Sequence, residues 1–146
     1  MTTVETYAAA YYLASKAHEG QVDKSGRDYI KHPIRVAESF DDYTFKTIAI
    51  LHDILEDTWV TEDLLRKLFP KNICDAVVAL TRKQDESYGD FIKRLSNNVF
   101  AAKVKIADLT DNMDLSRLNE ITESDIERVK KYCKWRNYLK EAMLPF

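Results

Sequence analysis

The residues of this chain best suited to chemistry are His32, the adjacent pair His52-Asp53, and Asp108. Around the pair the sequence reads Ile48-Ala49-Ile50-Leu51-His52-Asp53-Ile54-Leu55-Glu56-Asp57, with four ionisable residues set into an otherwise buried apolar run. On a continuous helix, at about 100° per residue, His52, Asp53, Glu56 and Asp57 fall within roughly 140° of arc, opposite Ile48, Leu51, Ile54 and Leu55. Such a helix packs on one side and faces a polar pocket on the other. An acidic solvent face with an incidental histidine is the plainer reading of any one of these residues. It weakens because the chain has only 3 histidines, and because Val104-Lys105-Ile106-Ala107-Asp108 again ends an apolar run in a carboxylate. Asp111 and Asn112 share that carboxylate's face, three and four residues on.

His52 and Asp53 can reach one ion together, and His32 and Asp108 close the set from two other segments. Two imidazoles with two carboxylates suit Mn²⁺, Fe²⁺ or Zn²⁺ better than Mg²⁺ or Ca²⁺. With coordination positions left open, such an ion lowers the pKa of a bound water and polarises a phosphoryl oxygen. Glu56 and Asp57, one turn on, are placed to orient or deprotonate that water.

Helices must position these groups. Only 3 Gly and 3 Pro are present, which favours helices over many short strands. The spacing of Tyr7, Ala10, Tyr11, Ala14 and His18 predicts a helix from Thr3 to Glu19. Glu19 to Pro33 reads as irregular, with a Lys24-Ser25-Gly26 turn. His32, before proline, is expected in an extended entry to a helix that Pro33 opens and that runs through Val36 and Ala37 toward Phe40. Thr44 is the expected N-cap of one apolar helix from Phe45 to Asp57. Thr61 starts a short helix ending near Phe69-Pro70, and Asn72 to Thr81 follows with Ile73, Ala76, Val77 and Leu80 on one face. Arg82 to Tyr88 reads as a polar loop, with a helix from Ser87 or Tyr88 through Leu95. Val99 to Leu115 reads as one or two helices. Thr122 with Asp125 caps a last helix to about Met143. With no repeat or long linker, residues 1–146 are expected to form a single all-α domain, a compact helical bundle.

Composition narrows the function classes. Hydrophobic residues at 45% and charged residues at 32% fit a globular chain and exclude disorder. A net charge of -2 leaves no electrostatic footprint for a nucleic acid polymer. The late basic residues Arg128, Lys130, Lys131, Lys134, Arg136 and Lys140 read as the solvated face of a helix, with a polyanion site as the alternative. Cys74 and Cys133 read as buried free thiols in a reducing compartment. No signal peptide and no membrane-length apolar run is visible, so the expected location is cytoplasmic, with no membrane partner.

Taken together in chain order, these residues carry a family resemblance. His32, His52-Asp53 and Asp108 match the H…HD…D signature of the HD superfamily of metal-dependent phosphohydrolases. Ala17-His18-Glu19-Gly20-Gln21, Lys24-Ser25-Gly26, Tyr29-Ile30-Lys31-His32-Pro33, Leu51-His52-Asp53-Ile54-Leu55-Glu56-Asp57-Thr58 and Lys105-Ile106-Ala107-Asp108 resemble the hydrolase domain of the Rel/Spo alarmone enzymes and of stand-alone small alarmone hydrolases. The resemblance covers roughly Tyr7 to Leu118. It implies the HD-type helical fold and Mn²⁺-dependent removal of the 3′-pyrophosphate from (p)ppGpp, giving GDP or GTP. It also implies His32, His52, Asp53 and Asp108 as metal ligands and Glu56 and Asp57 as the catalytic pair. Lys24, Ser25 and Asn112 match positions beside the nucleotide. The partner is then a small phosphorylated nucleotide; and with no synthetase segment after Phe146, hydrolysis alone is expected.

Two departures bear on the substrate. Asp23 stands where the alarmone hydrolases usually carry an Arg that helps hold the guanine base. Leu109-Thr110-Asp111-Asn112-Met113 replaces their common Arg-Leu-His-Asn-Met. These differences favour, as an alternative, hydrolysis of another phosphorylated nucleotide of the 5′-nucleotidase type, while a silent nucleotide-binding module would have no need of the whole ligand set. Arg82 and Lys83 read as a solvated loop, with phosphate contact as the alternative. His18 reads as a core histidine or one behind the metal ligands, and Trp59 and Trp135 as packing residues.

Overall fold

In a computed structural model, which describes residues 1–143, the chain folds into helices: α1 (Thr3–Ala17), α2 (Lys31–Glu38), α3 (Tyr43–Leu51), the single turn α4 (Ile54–Asp57), α5 (Glu62–Leu68), α6 (Lys71–Ala79), α7 (Tyr88–Leu95), α8 (Val99–Asn112) and α9 (Glu123–Ala142). The all-α expectation holds, and the only β pairing among the described residues is an isolated antiparallel bridge, Val22 to Asp28. None of the described helices is long and apolar enough to cross a membrane.

α3 is the centre of the bundle, packing against α1, α2, α6 and α8. Ile48, Ala49, Ile50 and Leu51 are all fully buried, which explains why this stretch is apolar on every side. Val36 and Ala37 of α2, Ala10 and Ala14 of α1, Ala76 and Val77 of α6, and Ala101, Ala102 and Val104 of α8 complete the surrounding layer. The small residues of α1 and α8 let those helices approach α3 closely.

Helix starts follow capping chemistry. Thr2 and Thr122 form capping boxes with Glu5 and Asp125, and Thr61, Ser87 and Asn98 each accept a backbone N–H from the first turn of α5, α7 and α8. α3 departs from the sequence reading: Asp42, not Thr44, is its N-cap, and the Asp42 carboxylate accepts the N–H groups of Thr44 and Phe45. A carboxylate at this place satisfies two free donors and also favours the positive end of the helix.

Two further corrections concern the site. The expected single helix from Phe45 to Asp57 is broken at His52-Asp53. The His52 ring donates Nδ1–H to the Ala49 carbonyl at 2.6 Å, taking the acceptor that the Asp53 N–H would use in a continuous helix, and Asp53 sits at φ -102°, ψ -2°. His32, expected in an extended entry, lies inside the first turn of α2. Pro33 at the third helical position gives up an N–H that has no intrahelical partner there, so the helix can begin before the proline rather than at it.

Leu51 is fully buried immediately before His52. Leu51→Ala is expected to lower unfolding free energy by about 2–5 kcal/mol, as read from urea melts.

Candidate metal centre and its cavity

Three segments converge on one spot. His32 comes from α2, His52-Asp53 from the break between α3 and α4, and Asp108 from the middle of α8. One ligand atom each from His32, His52 and Asp53 lie within 4.8 Å of one another. Asp108 Oδ1 stands against both rings, 2.8 Å from His32 Nε2 and 3.2 Å from His52 Nε2, while Asp53 Oδ1 is 3.1 Å from His52 Nε2. His32, His52 and Asp108 are buried and Asp53 is half-buried. The donor set fits a borderline divalent ion: the His52 Nδ1–H is committed to the Ala49 carbonyl, so Nε2 is the nitrogen offered inward.

Side chains that the sequence reading did not single out hold this set in place. The Tyr29 hydroxyl donates to Asp53 Oδ2, leaving Oδ1 toward His52. Tyr29 is delivered by a small hairpin in which Asp23 N–H reaches the Arg27 carbonyl and Tyr29 N–H reaches the Gln21 carbonyl; Gly26 at its tip has φ +80°. Lys105 donates to Asp108 Oδ2 at 2.8 Å. A tyrosine and a lysine read as ordinary residues in sequence, and only the tertiary approach gives them this work. His18 fits its reading as a buried support: it packs on Tyr29 with ring centroids 5.2 Å apart and its Nδ1 meets Gln21 Oε1 at 2.8 Å.

The electrostatics are those of a buried charge network. Burial works against charge on His32, but hydrogen bonds to Asp108 and Asp111 and the nearby carboxylates outweigh it and carry its pKa up to about 10. Burial likewise opposes charge on His52, and Asp53 and Asp108 raise it nonetheless. For Asp108, burial is outweighed by Lys105 and the two imidazoles, which hold the carboxyl well below its usual range. Asp57 behaves differently: surrounding protein bulk, then the like charges of Asp53 and Glu56, push its carboxyl up.

Beside His32 opens a cavity of about 360 Å³, a size suited to a small molecule. Lys24, Ser25 and Asn112, the expected nucleotide neighbours, all line it, together with Arg117, Arg128 and Tyr132. Arg128 therefore departs from the solvated-face reading of the late basic residues, whereas Lys130, Lys131, Lys134 and Lys140 are exposed as expected. Asp23 and Asp111 also line the cavity, but neither stands free in it. Asp23 Oδ1 accepts from Ser25 N, Ser25 Oγ and Arg27 N, which organises the hairpin. Asp111 is bound to His32 and Arg35. Glu56 accepts the Arg82 N–H at 2.5 Å and so tethers the loop before α7, and the Arg82 side chain turns to the Glu86 carbonyl. Trp135 packs edge-to-face on Tyr88, ring centroids 6.4 Å apart, but Trp59 is 64% exposed, against the packing expectation; Cys74 is buried and Cys133 only half so.

No family model matches the chain. Individual proteins do. Over 119 residues it is 34% identical to the bifunctional (p)ppGpp synthase/hydrolase SpoT of Escherichia coli, a match covering 71% of this chain and 17% of that protein. Over 116 residues it is 31% identical to the guanosine-3′,5′-bis(diphosphate) 3′-pyrophosphohydrolase of Haemophilus influenzae, covering 69% and 17%. The chain is a relative of these (p)ppGpp enzymes. It spans about a sixth of the length of the curated relatives it matches. In fold it is similar to a solved metazoan ortholog of SpoT, described as hydrolysing ppGpp, with a TM-score of 0.76 at 23% identity over 96% of this chain and 86% of that one.

A divalent cation entering beside His32 must displace the proton that the ring otherwise keeps to about 10. Affinity is therefore expected to rise with pH across the neutral range, by up to about tenfold per pH unit for each proton released. Calorimetric Mn²⁺ titrations between acid and alkaline pH check this, and a flat profile would contradict it.

Proposed function

We propose that the chain is a metal-dependent hydrolase that removes the 3′-pyrophosphate from (p)ppGpp, leaving GDP or GTP. The reading rests most on one observation: the His32, His52 and Asp53 ligand atoms lie within 4.8 Å of one another, with Asp108 against them, at the edge of a cavity that carries Lys24, Arg117 and Arg128. The kinship with (p)ppGpp hydrolases adds the substrate. His32, His52, Asp53 and Asp108 are the proposed ligands and Mn²⁺ the proposed ion. A divalent ion held there would supply Lewis acidity toward a phosphoryl oxygen and acidify the attacking water.

The chain's own groups divide the remaining work. Asp57, with its raised pKa, is the proposed proton acceptor for the attacking water, because a base closer to neutrality transfers protons more effectively. Glu56, beside it and held by the Arg82 N–H, is proposed to orient that water. Lys24, Ser25 and Asn112 are the proposed substrate contacts, with Asn112 Nδ2 also 3.2 Å from Asp108 Oδ1 and so able to link cavity and centre. Arg128 and Lys24 offer charge to the phosphates.

A second reading keeps the centre and changes the nucleotide. Its support is Asp23, whose carboxylate is committed to its own hairpin and cannot take over the guanine-holding work of an arginine.

Purified protein with Mn²⁺ separates the two when offered ppGpp, pppGpp, ppApp and nucleoside monophosphates. Release of intact pyrophosphate from ppGpp is expected; orthophosphate release from monoesters alone would move the function to the second reading. Asp53→Ala is expected to lose both metal and turnover. Glu56→Ala is expected to keep the metal while turnover falls by about 10²–10⁴-fold. Metal binding by Asp53→Ala equal to the parent's would refute the ligand assignment.

A further inference from the structure

Asp111 sits three residues after Asp108 on α8, and the two carboxylates take opposite edges of one imidazole. Asp108 Oδ1 lies 2.8 Å from His32 Nε2, and Asp111 Oδ2 lies 2.6 Å from His32 Nδ1. Asp111 is itself gripped: Arg35 Nε donates to its Oδ1 at 2.9 Å, Arg35 Nη2 to its Oδ2 at 3.1 Å, and Arg117 Nη2 to its backbone carbonyl at 3.1 Å. The Arg35 fork leaves the carboxylate no freedom to turn toward the metal position. His52 achieves the equivalent with a backbone carbonyl, Ala49.

We propose that Asp111, clamped by Arg35, is a positioning residue that keeps His32 protonated on Nδ1 and so presents Nε2 to the metal. An imidazole without such a partner divides itself between two tautomers and two ring flips; a carboxylate on Nδ1 removes three of those four choices and makes Nε2 a stronger donor. The carboxylate is this chain's own answer to a position where the alarmone hydrolases commonly have histidine. It follows that Asp111 serves the ion rather than the nucleotide base. The inference rests on the metal-centre reading proposed above.

Mn²⁺ affinity of the full chain, measured by calorimetry at one fixed pH, tests both together. Asp111→Ala is expected to weaken binding by on the order of 10- to 100-fold, and Asp111→Asn, which keeps a neutral acceptor of the same shape, by distinctly less. In the Zn²⁺-loaded protein, ¹⁵N spectra are expected to show His32 as a single Nδ1-protonated ring in the parent and as a heterogeneous ring in Asp111→Ala. If Asp111→Ala does not fold, Asp111→Leu, which fills the space but offers no acceptor, decides: affinity within twofold of the parent with an unchanged ring signature overturns the proposal. Both variants binding as the parent does would also overturn it while leaving the metal centre standing. A parent that binds neither Mn²⁺ nor Zn²⁺ would remove the metal reading and this inference with it.

Discussion

A carboxylate and two imidazole rings meet where water hardly reaches, and each would be costly to bury alone. Asp108 is tolerable there because Lys105 takes one oxygen and His32 and His52 share the other, with Asn112 beside them. The surrounding helices can be understood from that requirement. α3 has to be apolar on all sides to reach the middle of the bundle, yet deliver two polar residues at its end; α2 and α8 have to lie against it so that their own polar groups arrive at the same place. Removing one partner would leave the others desolvated and unmatched, so the site and the packing around it stand or fall together.

The break after Leu51 shows how the local chemistry serves this arrangement. A helix that continued through Asp53 would spend the Ala49 carbonyl on the Asp53 N–H. By giving that carbonyl to the His52 ring, the chain fixes which nitrogen faces inward and separates Asp53 from helical regularity in a single contact. Tyr29 then takes the outer oxygen of Asp53, and the hairpin that carries Tyr29 also carries Lys24 and Ser25 to the cavity wall. One short loop thereby sets both Asp53, a proposed metal ligand, and Lys24 and Ser25, the proposed substrate contacts.

Much of this was readable from residue types and spacing. Apolar periodicity marks α1 and α6, the Thr122-Asp125 pair marks the start of α9, and the scarcity of glycine and proline marks the class. His32, His52, Asp53 and Asp108 stood out because charged groups interrupt buried runs only for a reason. What escaped was whatever depends on a contact between distant segments. Periodicity alone cannot show that His52 will take a carbonyl from its own helix, nor that Asp111 will reach back to α2. Asp111 and Asp23 read in sequence as departures that bear on the substrate; in the fold each is engaged by neighbours, one by His32 and Arg35, the other by Ser25 and Arg27. Arg128 reads as one more solvated cation on a basic helix and instead lines the cavity, to which α9 also contributes Tyr132.

Diffraction data collected at the manganese absorption edge from Mn²⁺-soaked crystals test the proposed four-ligand ion most directly. One strong anomalous peak bonded to His32 Nε2, His52 Nε2 and the carboxylates of Asp53 and Asp108 is expected. A peak held by other residues, or none there at full soaking, would contradict it.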